Sequence, residues 1–440
     1  MTDGPDLEGL RLLLDKAGAL NALAEIDGAA VEAWGALPEG SAPFVLVKDN
    51  IAVAGLQWTA GSPLFADVRA GRDATAVRLL RERGAFFPAK TTLHELAFGV
   101  TGANGWTGAI ANPHDAGRMA GGSSGGSAAA LALGIGDLSL VTDTGGSARI
   151  PAALCGVIGF RPSTGRYPSD GVIPLSPSRD TIGLMARELR WIEWADGILG
   201  GEDEPLAEPA SFRIGIAAGD DLGAVEPDVA DAYLHLVRLV EAAGHDVVDV
   251  DLSRVTALDE ACGFPIALHQ SQEALRAFTP TISGRSFEDL LASVATPDVA
   301  AILGHAADPA TVPVTRYADA IGREWPALRE AYSALFADGL DAILLPTVPV
   351  VAPSIDHVET VPLNGQPMPT FPTLTRFTRP DSMAGLPSIS LPFGKDREGL
   401  PIGMMLTGPR HADRALLGLA RALLSMSGFP VGLTPNISYS

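Results

Sequence analysis

The fold and chemistry of this chain turn on two glycine-rich turns, Arg118-Met-Ala-Gly-Gly-Ser-Ser-Gly-Gly-Ser-Ala-Ala-Ala130 and Asp143-Thr-Gly-Gly-Ser-Ala-Arg-Ile-Pro151. Glycines this dense mark backbone that must approach another group closely. Each Gly-Gly-Ser puts a hydroxyl on a tight turn beside backbone N–H groups, which suits a nucleophile and an oxyanion hole. A flexible linker is the other reading of Gly and Ser. It fails because Leu131, Leu133, Ile135, Leu138, Leu140 and Val141 fill the interval.

Outward from these turns, apolar runs alternate with helical periodicity. Residues 43–48 form a short buried strand that ends, unusually, in Lys48. Residues 73–84 read as a helix and 85–90 as a strand, a parallel βαβ unit. A helix opens at 124–134, and a strand at 137–142 runs into the second turn. Residues 212–217, 226–243 and 246–250 repeat the strand–helix–strand pattern. Residues 6–35 read as one helix, 342–345 as a strand, 388–392 with 402–407 as a hairpin, and 412–427 as a last helix. Residues 254–335 read as helices broken at Pro265, Pro280, Pro297, Pro309 and Pro313. The class is α/β.

Composition narrows the function. The chain has 440 residues, 47% of them hydrophobic, enough for a large core. Its 49 glycines and 34 prolines mean turns and not disorder, because charged residues are only 19%. A net charge of −21 repels nucleic acid and anionic membrane surfaces. The two cysteines, Cys155 and Cys262, make no disulfide framework, and Cys155 reads as a small buried apolar residue. No secretory signal or membrane-length run is present, so a cytoplasmic protein is expected. The eight histidines lack metal-ligand spacing, and neither a phosphate-binding loop nor a dinucleotide fingerprint occurs. No metal and no cofactor are expected.

Gly122-Ser123-Ser124-Gly125-Gly126 contains the Gly-x-Ser-x-Gly of a nucleophile elbow centred on Ser124, but no downstream His sits in a matching loop. Lys48, Ser123 and Ser147 carry the stronger reading. Gly121 to Ser127, Asp143 to Ala152, Val47-Lys48-Asp49-Asn50, Asn112-Pro113, Gly385-Leu386-Pro387 and Gly399 to Gly403 together resemble the amidase signature family. The likeness runs over residues 40–200 and 340–425. It implies one domain over 1–440, a central twisted mixed β-sheet with helices on both faces, a core of about 40–250 and 340–430, and a helical cap at about 254–335.

The resemblance assigns the catalytic set. Ser147 becomes the nucleophile, and Ser123, reached through a cis peptide from Gly122, bridges it to Lys48. The backbone of Thr144, Gly145, Gly146 and Ser147 forms the oxyanion hole. Lysine serves as a base only when neutral, so burial must lower its pKa by roughly 3 units. The apolar Phe44-Val45-Leu46-Val47 offers that setting. Asp143 and Arg149 flank the turn and should pair across it. Ser124 either orients the network or caps a helix. Asp381 stands where many relatives carry Asn, which should alter the late loop. Phe98, Gly99 and Phe371, with Trp106 and Phe264, are candidates for the substrate wall.

The implied reaction is cleavage of the C–N bond of a small amide through an acyl-enzyme. Residues 159–183 most resemble the indoleacetamide and mandelamide hydrolase branch, which implies an aryl or apolar acyl group. Carbamate (urethane) or anilide cleavage is a close variant. A glutamine-dependent amidotransferase subunit and a non-catalytic binding protein are the other classes. The expected partner is a small-molecule amide, and the expected state is monomer or homodimer.

Overall fold

Phe44 to Lys48 are buried at all five positions, and the strand they form stands inside an eleven-stranded sheet. The computed structural model describes residues 7–38, 42–202, 204–217, 222–308, 310–426 and 428–429. The sheet strands are β1 (Leu23–Ile26), β2 (Phe44–Lys48), β3 (Phe86–Thr91), β4 (Leu138–Asp143), β5 (Ile158–Arg161), β6 (Thr181–Ala186), β7 (Arg213–Ala217), β8 (Asp246–Val250), β9 (Ala342–Pro346), β10 (Ser388–Lys395) and β11 (Pro401–Thr407). Their spatial order is β1-β3-β2-β4-β6-β5-β10-β11-β9-β7-β8.

The sheet is mixed. β2 runs parallel to β3 and to β4, while β4, β6, β5, β10, β11 and β9 pair antiparallel in turn. β9, β7 and β8 are parallel again. Alternate side chains leave opposite faces of a strand. Val45 and Val47 therefore join one apolar cluster with Leu138 and Leu140, while Leu46 joins another with Val141 and Ala128. Helices cover both faces. Both expected strand–helix–strand units are present, around helices Thr75–Glu82 and Pro227–Ala242.

Parallel pairing brings the carboxyl ends of β2, β3 and β4 to one edge, where ligands of open α/β sheets collect. Lys48 pairs with Thr91 there, and β4 ends in Thr142 and Asp143. The two glycine-rich turns lead directly into helices Gly125–Ala132 and Arg149–Cys155, every residue of which is buried. At Gly126 only a small residue fits, because the helix start lies against the backbone of Ala22 and Thr92.

Two expectations are corrected. Residues 6–35 are not one helix. Leu7–Ala19 and Gly28–Gly35 are separated by edge strand β1. Asn21 takes a left-handed φ of 55° and Asp27 caps Ala30, so turn chemistry overrides the leucine periodicity. The segment 254–335 is helical, but Pro265 and Pro280 do not break it, for Ser253–Ser283 is one helix of 31 residues. The carbonyl of Ala261, four residues before Pro265, accepts from Arg316 Nη2 at 2.5 Å instead. Pro297 starts a helix and Pro313 caps one. Pro309, residues 1–6 and residue 427 lie outside the described residues. Strands β5 and β6 were not expected. No helix among the described residues is long and apolar enough to cross a membrane.

Gly126→Ala should lower stability by about 1–3 kcal/mol, because its Cβ would press on backbone, with Thr92 O at 2.6 Å. Gly18→Ala, in an exposed helix with open space around it, should be neutral or stabilising by up to about 1 kcal/mol. Urea unfolding of both variants checks the pair. Equal midpoints would contradict the packing account.

Candidate active site

β2 delivers Lys48 into the buried interior. Its side chain is fully buried, and no carboxylate lies within ion-pair distance among the described residues. Nζ is 2.7 Å from Ser123 Oγ and 2.8 Å from Thr142 Oγ1. Asn50 Nδ2 donates to the same Thr142 Oγ1 at 3.0 Å, fixing the hydroxyl on which the amine rests. Burial lowers the Lys48 pKa from 10.5 to about 7, against the opposing fields of Asp143 and Asp180. Lys90, one strand away, is the contrast. It is equally buried but stands 3.3 Å from Asp49 Oδ1 and donates to Ile51 O and Gln57 O.

Ser123 is fully buried at the head of its helix, and the Gly122–Ser123 peptide is cis. The backbone N–H of His94 donates to its carbonyl at 3.1 Å. Ser147 lies at the wall of the main cleft. The Lys48–Ser123 contact is closed, whereas no hydrogen bond joins Ser123 to Ser147. Ser124 is fully buried and makes no capping bond; its Oγ points to Thr142 O at 3.5 Å. It does not reach the cleft, so the elbow reading has no nucleophile there.

The turn before Ser147 is held by charge. Asp143 Oδ1 accepts from Gly146 N at 2.9 Å and Oδ2 from Ala148 N at 3.0 Å. Arg149 donates to both carboxylate oxygens at 3.0 Å, so the expected pair is present, and it is buried. Burial alone would raise the Asp143 pKa, but Arg149 and Arg161 hold it far below the carboxylate range. One expectation changes as a result. The Gly146 amide is committed to Asp143, leaving the N–H groups of Thr144, Gly145 and Ser147 without partners for an oxyanion.

Asp381 has a definite role in this network. Arg149 Nη1 donates to both of its oxygens at 2.8 Å, and Thr407 Oγ1 donates to Oδ2. Arg149 also reaches Thr378 O, Ser382 Oγ and Ser388 Oγ. The late segment is thereby tied to the turn that carries Ser147. Thr144 Oγ1 donates to Asp180 Oδ1 at 2.7 Å, fixing the turn from its other side.

The cleft at Ser147 spans about 660 Å³, part of it open to solvent. Phe98, Gly99 and Phe371 line it, as does Phe264 from the long helix Ser253–Ser283. Trp106 does not; it is 42% exposed elsewhere. Thr142, Asn50, Asp180, Arg179 and Arg379 were missed. The signal for Thr142 lay in the parallel pairing, which puts the end of β4 beside the end of β2. Cys155 is buried with its thiol pKa pushed up by burial. Among the described residues no cluster of His, Cys, Asp or Glu could hold a metal ion.

The amidase family model matches residues 43–417. An indoleacetamide hydrolase of Agrobacterium vitis is 36% identical over 390 residues, 87% of this chain and 84% of that protein. A mandelamide hydrolase of Pseudomonas putida is 36% identical over 450 residues, 95% of this chain and 87% of that protein. A solved structure described as an amidase superposes with a TM-score of 0.83 at 34% identity, covering 95% of each chain.

Asp143→Ala leaves Arg149 and Arg161 short of a buried carboxylate. Stability should fall by about 3–5 kcal/mol, read as a lower urea midpoint with an unchanged slope. A loss below about 1 kcal/mol would mean the pair does not hold the turn.

Proposed function

This chain belongs to the amidase family, and from that premise we propose that it hydrolyses small amides of aryl or apolar acids through an acyl-enzyme on Ser147. The reading rests above all on one observation, a buried lysine amine with no carboxylate partner, 2.7 Å from a serine hydroxyl. An amine whose pKa is about 7 is substantially neutral at physiological pH and can act as a base.

In this reaction Lys48 takes the proton of Ser123 while Ser123 takes that of Ser147. The Ser123–Ser147 hydrogen bond forms as substrate seats; catalytic contacts are commonly long before substrate binds. Ser147 Oγ attacks the carbonyl carbon, and the N–H groups of Thr144, Gly145 and Ser147 receive the oxyanion. The proton returns through Ser123 to the leaving amine as the C–N bond breaks. A water then attacks the acyl-enzyme, giving its proton to the same relay and releasing the acid.

The apolar wall of Phe98, Phe264 and Phe371 suits an aryl or apolar acyl group, in keeping with relatives named for indoleacetamide and mandelamide. A small leaving amine fits the same reading. The helices of residues 254–335 act as the cap, through Phe264 on the cleft wall. An aryl carbamate presents a carbonyl to the same N–H groups. A panel of aryl-acetamides, anilides, aryl carbamates and glutamine, assayed for released amine, ranks these leaving groups. Turnover of glutamine alone would overturn the proposal.

Ser147→Ala and Lys48→Ala should each lower kcat/KM by about a thousandfold or more. The protonated amine is inactive, so kcat/KM should fall about tenfold per pH unit below about 7 and level off above it. Activity surviving Lys48→Ala, or a rising limb centred near 10, would contradict the assignment.

A further inference from the structure

The lining of the cleft is apolar except around the turn that carries Ser147, at Thr375 and at two arginines, Arg179 and Arg379; no carboxylate lines it. Arg379 is matched, since its Nε donates to Asp259 Oδ2 at 2.6 Å. Arg179 is not. It is 7% exposed, and among the described residues it makes no ion pair. Its side chain reaches only the weak acceptor Met383 Sδ, at 3.7 Å. Its Nε is buried with no partner.

The other buried arginines of this region are ion-paired, although the Nε of Arg161 also lacks a partner. Arg149 is satisfied by two carboxylates, and Arg161 pairs with Asp143. A buried guanidinium without a carboxylate is destabilising, and burial pushes its pKa down to about 10 against the fields of Asp259 and Asp180. Its backbone is nevertheless held firmly. The carbonyl of Arg179 accepts from Arg161 Nη2 at 2.9 Å, and its N–H donates to Ser176 O. The next residue, Asp180, holds Thr144 of the oxyanion turn. A guanidinium with no ion pair among the described residues is thus fixed in the same cleft wall as Ser147.

We propose that Arg179 receives a carboxylate carried by the acyl group of the substrate, so that the preferred substrate is an amide whose apolar acyl body ends in an anion. This rests on the amide-hydrolase reading above and narrows it. The planar guanidinium fork matches a carboxylate in two parallel hydrogen bonds. The apolar walls would hold the body between the scissile carbonyl and that end. With both arginines lining the cleft and only Arg379 ion-paired, an anion fits better than a neutral acceptor.

The test uses three matched primary amides: phenylacetamide, its para-hydroxymethyl derivative and its para-carboxymethyl derivative. Wild-type kcat/KM should be at least about tenfold higher for the carboxylate than for phenylacetamide. In Arg179→Met and Arg179→Gln that ratio should collapse to about one or below, mainly through KM. A wild-type ratio of one or less, a ratio unchanged by either substitution, or equal preference for the hydroxymethyl compound would each overturn the proposal. If neither variant folds, the wild-type ratio decides. Calorimetric binding of the same amides to Ser147→Ala gives a readout that needs no turnover. Tighter binding of the carboxylate there would support the Arg179 assignment even if no amide were hydrolysed, an outcome that would sink the amide-hydrolase reading alone.

Discussion

An amine kept out of water is the constraint on which this structure depends. Lys48 ends a strand whose residues are all buried, and its Nζ meets two hydroxyls and no carboxylate. Burial disfavours the charged form of lysine. Lys90 is the contrast, for burial lowers its pKa as well while Asp49 and two carbonyls oppose that shift at close range. The difference between the two lysines lies in their partners, because their burial is the same.

The second constraint is the buried charge network that shapes the turn after β4. Asp143 binds two backbone N–H groups of the turn and the guanidinium of Arg149. Arg149 carries the connection onward to Asp381, in the helix Arg379–Ala384. Residues more than two hundred positions apart therefore form one unit. A short glycine-rich turn is in this way carried by a large sheet, with β2, β4, β10 and β11 each contributing an end or a partner.

Much of this was legible in the sequence, and the failures have physical causes. Runs such as Phe44-Val45-Leu46-Val47 announce buried strands, and the two Gly-Gly-Ser turns announce close backbone approach. The break in the first 35 residues was hidden because leucine periodicity continued across it, while the deciding signals, Asn21 and Asp27, act only locally. Asp381 could be recognised as unusual, but its partner Arg149 lies 232 residues away. The commitment of the Gly146 amide to Asp143 could not be read at all, since it depends on how the turn folds back. Phe98 and Phe371 line the cleft and Trp106 does not, because aromatic residue type alone does not give direction. Arg179 lies within the 159–183 stretch, but its isolation is not visible in sequence, for the lack of a partner is a property of the packed interior.

The protonation state of Lys48 is open to direct measurement. The sequence contains four lysines, so carbon-13 labelling at the lysine Cε positions gives a small set of signals, and Lys48→Arg identifies the relevant one. Its chemical shift should titrate with a midpoint of about 7. A midpoint near the ordinary lysine value of about 10.4 would mean that the amine stays charged and would contradict the account.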